Sequence, residues 1–130
     1  MNLSLLLILL SFNYLSTPYF QEEVWAVPES AKKVLNPTDT TDPDDIEIGN
    51  EIYEQLCSSC HGIEGRGDGK MAQVLKLKPK NFVEKKFQLQ LDGSIFFKIT
   101  TGRGQMPAFE KKIDEEDRWY LVNYLRTLSE

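Results

Sequence analysis

Two thiols and one imidazole fall within five residues at Cys57-Ser58-Ser59-Cys60-His61. On a helix, positions three and four apart share a face, so Cys57, Cys60 and His61 can point into one pocket together. Cys-X-X-Cys-His is the attachment signature of a c-type haem, in which the two sulfurs bond the vinyl groups and the histidine lies beneath the iron as proximal ligand. Two other chemistries use the same residue types. A structural zinc ion takes about four Cys or His ligands, whereas the whole chain has two cysteines and one histidine. A dithiol redox motif sits at a helix start within alternating strands and helices, an alternation the sequence lacks. The reading is therefore one haem c, held covalently by Cys57 and Cys60, with His61 on the iron.

A second iron ligand lies downstream in Arg103-Gly104-Gln105-Met106-Pro107. A thioether is a soft donor that stabilises ferrous iron, and Met/His ligation raises the reduction potential. Glycines let the backbone approach a flat group closely. The competing role for Met106 is ordinary core filling. Met71 lies too near the attachment motif to reach the opposite face easily, and Met1 belongs to the N-terminal apolar segment.

From about Asp42 to Leu128 the chain resembles the class I mono-haem cytochromes c of bacterial type. Gly62 and the loop Gly65-Arg66-Gly67-Asp68-Gly69 match the family's continuation after the histidine, Gly104-Gln105-Met106-Pro107 its distal methionine segment, and Leu121-Val122-Asn123-Tyr124-Leu125-Arg126 its last helix. The resemblance implies an all-α cytochrome c fold, about four helices around one haem. It also implies a small residue, here Gly49, where the first and last helices cross, with Tyr53 one turn later on the contact. In family members a proline carbonyl accepts the proximal histidine's ring N–H, and Pro79 is the candidate; such a contact fixes the tautomer and raises basicity. Phe82 would cover the haem, and Ile95 and Ile99 would face it.

The elements that must position these groups follow from local signals. Asp42 before Pro43, Asp44 and Asp45 is a helix start. Ile48, Ile52 and Leu56, four apart, predict its apolar stripe. The glycine-dense stretch from Gly62 to Gly69 is a loop, and a short helix from about Lys70 to Lys76 should turn Val74 and Leu75 inward. Asp92 opens a further helix that Gly102 ends, with Phe96 and Phe97 as core. The last helix runs from Asp114 or Glu115 to Leu128, acids first and Arg126 near its end as the dipole prefers. Its expected buried stripe is Leu121, Tyr124, Leu125 and Leu128, with Trp119 sealing the entry.

Residues 42–130 form the expected domain. At about 85 residues its own core is marginal, and a covalent haem would supply the missing apolar mass. Residues 21–41 read as a linker or a surface-hugging extension, with Trp25 capping a small apolar patch. Residues 1–20, apolar from Leu3 to Leu10, suit a signal peptide, with a retained membrane anchor as the alternative. Export agrees with thioether attachment, which is completed outside the cytoplasm in the resembled proteins, and points to a periplasmic setting.

Charge is uneven. The net charge is −5, yet residues 66–112 hold eleven Lys or Arg against four acids, leaving the remainder at −12. Basic side chains such as Lys76, Lys78 and Arg103 would ring the haem edge and steer an acidic redox partner, a dehydrogenase, oxidase or reductase. A pI near 5.0 without an aromatic-basic motif argues against nucleic acid. With both axial positions filled there is no open site for substrate, so the expected protein is a monomeric one-electron carrier and not an enzyme. The alternative is a haem-based sensor or haem enzyme with a labile sixth ligand.

Overall fold

In the computed structural model, which describes residues 24–129, six helices and one 3₁₀ turn follow in order. They are α1 (Glu29–Lys32), α2 (Pro43–Leu56), α3 (Ser58–His61), the 3₁₀ turn Lys70–Val74, α4 (Lys85–Gln88), α5 (Asp92–Thr101) and α6 (Glu115–Thr127). Three of these are long, and the short pieces shape the connections. No strand occurs among the described residues, and no helix among them is long and apolar enough to cross a membrane. The expected signal peptide or anchor, residues 1–20, lies outside the described residues.

The Asp42 carboxylate caps α2 by accepting from the Asp44 amide at 2.8 Å, and Pro43 occupies the first turn, where its missing N–H costs nothing. The buried face of α2 is not the predicted one. Gly49 and Tyr53 are buried, while Ile48 and Leu56 are exposed and Ile52 packs at the core's margin. The cause is the crossing with α6. A Cβ at position 49 would stand 2.2 Å from the Tyr120 carbonyl oxygen and 2.9 Å from the Tyr124 Cβ. The seam therefore runs through 49 and 53, about 100° round the helix from the isoleucine stripe. Tyr53 and Tyr124 rings meet there at 5.2 Å.

Helix α6 is enclosed on several sides. Trp119, Leu121, Val122, Asn123 and Leu125 are buried, and Tyr124 and Leu128, expected in the stripe, are partly so. Val122 belongs to the hydrophobic core, and the Asn123 side chain is engaged by the extension. Asn36 donates to Asn123 Oδ1 at 2.7 Å, and Asn123 donates to Thr38 Oγ1 at 3.0 Å. Backbone carbonyls of Ala31 and Val34 press on Gly93, where a Cβ would come within 2.3 Å and 2.7 Å of them.

At the other end of α6, Arg126 does more than satisfy a dipole. It donates to the Asp92 carboxylate and to the Gln88 and Gln90 carbonyls, at 2.8, 2.8 and 2.6 Å. Asp92 opens α5 as expected, with Leu91 at the cap position, and its carboxylate is engaged by Arg126. The expected helix after Lys70 is a 3₁₀ turn. Its period of three aligns Ala72 with Leu75, both partly buried, and turns Val74 outward.

Gly49→Ala should test the crossing. Helix propensity alone favours alanine by up to about 1 kcal/mol, but the added methyl must force the two helix backbones away from each other, so a net loss of about 1–3 kcal/mol is expected in urea denaturation.

Candidate functional site

Cys57 ends α2 and caps α3, so the attachment motif wraps a single helical turn rather than extending the long helix. Its backbone is tied on both sides. The Cys57 amide donates to the Tyr53 carbonyl, and the His61 amide to that of Cys57, each at 2.9 Å. Both cysteines are free thiols and partly buried. Burial, with Cys60 adding, pushes the Cys57 thiol up to about 12, so it is a neutral thiol at physiological pH. Reactive dithiol pairs need the opposite shift. Among the described residues no three His, Cys, Asp or Glu side chains converge as metal ligands, so the zinc alternative has no supporting cluster.

After His61 the chain reverses through Gly62, whose φ of +86° only glycine adopts without strain. The Tyr53 hydroxyl donates to the Gly62 carbonyl at 2.6 Å. Gly67 and Gly69 amides donate back to the His61 and Cys60 carbonyls at 2.7 and 3.1 Å. The loop thus encloses the motif's own backbone.

The carbonyl facing the His61 ring is that of Lys80, not of Pro79. Lys80 O lies 3.1 Å from Nδ1. The Pro79 carbonyl is turned onto Gly67, where it would lie 2.4 Å from an added Cβ. With Nδ1–H donating to Lys80, the lone pair resides on Nε2. Burial lowers the His61 pKa, with the Lys80 carbonyl opposing, which keeps the ring neutral and able to donate that pair.

Phe82 stacks on the imidazole, with ring centroids 4.3 Å apart and planes 21° off parallel. It also meets Tyr53 edge-on at 6.2 Å and Phe87 at 4.7 Å. Phe82, expected as a cover for a haem, lies against the face of the His61 ring.

Met106 closes a four-residue turn. Arg103 and Met106 exchange backbone hydrogen bonds at 2.9 and 3.0 Å, and Gly104 at the corner has φ +57°. Gly102 ends α5 at φ +61°, pressed so closely by the Pro107 and Ala108 backbone that a Cβ would fall 2.4 Å from Pro107. The Phe109 amide then donates to the Ile99 carbonyl at 3.1 Å, folding the loop back along α5. Gln105 joins this loop to the stretch after the 3₁₀ turn by accepting from the Lys76 amide at 2.8 Å. Met106 and Cys57 both pack against one cluster that contains Phe82, Ile95 and Ile99.

The structure therefore brings Cys57, Met106, Phe82 and Ile99 to one core, with His61 joined through Phe82 and Cys60 beside it on α3. Two thiols, an imidazole with Nε2 free and a thioether fit a covalently attached haem. The Lys80 carbonyl and the Gln105 bridge escape sequence reasoning, because both depend on loop geometry that no periodicity encodes.

Comparisons with known proteins agree. The family model described as cytochrome c oxidase, cbb3-type, subunit III matches residues 44–125. Cytochrome c6 of Bryopsis maxima is 30% identical over 86 residues, covering 62% of this chain and 89% of the relative. A chain of the Kuenenia stuttgartiensis reducing HAO-like protein complex superposes with a TM-score of 0.64 at 33% identity, over 72% of this chain and 50% of that longer one. The KustC0563 c-type cytochrome superposes with a TM-score of 0.56 at 26% identity, over 63% of this chain and 98% of that one.

Tyr53→Phe removes the donor to a buried carbonyl, and a loss of about 1–3 kcal/mol at neutral pH is expected. Burial raises the Tyr53 pKa above its ordinary value, so the hydroxyl's contribution is fully present below pH 10 and lost above it. The gap between the two proteins should narrow in denaturation curves above pH 10.

Proposed function

The chain belongs to the class I mono-haem c-type cytochromes, and from that premise we propose that His61 and Met106 fill both axial positions of its one covalent haem c, making a one-electron carrier and not an enzyme. The observation that carries this is the oriented imidazole, Nδ1–H on Lys80 and Nε2 free, in a structure whose thioether packs on the core that Cys57 also joins. A haem c bound there supplies reversible one-electron chemistry. Cys57 and Cys60 would fasten it as thioethers, and the Lys80 carbonyl would keep His61 basic and correctly turned. Paired backbone bonds to Arg103 hold Met106, and ties from Phe109 to Ile99 and from Gln105 to Lys76 hold the loop around it, which argues against a labile sixth ligand.

The partner side of the reading rests on charge. Lys80 and Lys98 have lowered pKa values, burial first, then neighbouring cations: Lys86 and Arg103 for Lys80, Lys80 and Arg103 for Lys98. Four basic groups thus share one region beside the Met106 turn. That supports docking of an acidic redox protein at the haem edge, with long-range attraction that salt weakens. The carrier would act as a monomer after export, in the periplasm or an equivalent compartment.

Replacing Met106 tests the ligation. Met106→His, offering a second imidazole, should lower the reduction potential by a measurable fraction of the ~0.8 V that axial ligation spans, and Met106→Leu should open the iron to carbon monoxide. Unchanged potential and gas binding in both variants would rule out Met106 as a ligand.

A further inference from the structure

Trp25 stands at the start of the described chain, before the extension reaches α1. The extension is anchored twice further on, by the Ala31 and Val34 carbonyls against Gly93 and by Asn36 and Thr38 on the buried Asn123. Those anchors bring its first residues across the outer side of α5. There the Trp25 ring meets two cations, the Arg103 guanidinium at 4.9 Å from its centroid and Lys98 Nζ at 5.8 Å. Both distances lie within the range of a cation–π attraction, in which the ring's negative face draws a positive group.

The two cations are not equivalent in the fold. Lys98 belongs to the last turns of α5 and is also held by Gln90. Arg103 opens the turn whose two hydrogen bonds fix Met106. Like charges on a helix and on the loop that follows it repel, and each would push the turn away from α5. An aromatic ring attracting both offsets that repulsion and ties the turn to the helix that backs it.

We propose that Trp25 is a positioning residue for Met106: by holding Arg103 and Lys98 on one ring, the extension restrains the 103–106 turn from outside and keeps the thioether in place. This rests on the reading of Met106 as the sixth ligand. The extension is then a strap on the distal loop, not a spacer.

Imidazole added to the ferric, haem-bearing full chain reports the fraction of protein with Met106 displaced, because apparent affinity scales with the population of the open form. Trp25→Ala should tighten imidazole binding about tenfold, the effect of losing two exposed cation–π contacts. Trp25→Leu should match it, since leucine fills space without a charged face, whereas Trp25→Phe should stay near the parent. The Leu and Phe variants decide the matter if the Ala variant does not fold. Equal imidazole affinity in Trp25→Leu and Trp25→Phe, whatever their melting temperatures, would overturn the strap and leave Trp25 as packing only. If Met106→Leu leaves the imidazole affinity of the parent unchanged, the axial reading itself fails and the strap with it.

Discussion

With no Cβ at position 49, the backbones of α2 and α6 meet in direct contact, and the rest of the architecture follows from that crossing. It selects which face of α2 is buried and brings Tyr53 into the core one turn later. From there the Tyr53 hydroxyl reaches the carbonyl of Gly62, the residue after His61. A contact between two helix backbones is thereby transmitted, through one side chain, to the backbone just after His61. The same helix ends at Cys57, so the crossing and the attachment point share one rigid element.

Around that frame the two sides of the site are built differently. At His61 a neutral imidazole is fixed by three neighbours: the Lys80 carbonyl at its Nδ1, Phe82 on its face and the glycine loop on its backbone. Met106, by contrast, sits in a tight turn whose order comes from backbone hydrogen bonds and two left-handed glycines. Gln105 ties that turn to the stretch after the 3₁₀ turn by accepting from the Lys76 amide. With both side chains on iron, as proposed, such preorganisation would suit a carrier, since fixed ligands leave little to rearrange when an electron arrives or departs.

The chemistry was legible in the sequence because it is written in residue types at short spacing. Cys57, Cys60 and His61 lie within one helical turn, and Gly102 marks a close approach of the Pro107 backbone, although the space beside Gly104 is open. The helices at Pro43, Asp92 and Glu115 carry capping or charge signals that operate locally. What was not legible depends on tertiary choice. The stripe of Ile48, Ile52 and Leu56 is a sound amphipathic pattern, yet a backbone contact at Gly49 outweighs it. Pro79 and Lys80 are adjacent, and which carbonyl turns to His61 is decided by how Gly67 receives the other. Val74 points outward because a 3₁₀ turn has a different period from the helix expected. The docking of residues 31–39 rests on the Ala31 and Val34 carbonyls against Gly93 of α5 and on Asn36 and Thr38 against Asn123 of α6, the last 85 or more positions from its partners, so that no local pattern pairs them.

The claim on which everything else converges is an iron with His61 and Met106 both bound, closed to outside ligands. The most direct measurement is the optical spectrum of the reduced, haem-bearing full chain before and after carbon monoxide. The account predicts a sharp low-spin c-type spectrum that the gas leaves unmoved. A spectrum that shifts readily on adding the gas would contradict it, because the sixth position would then be open.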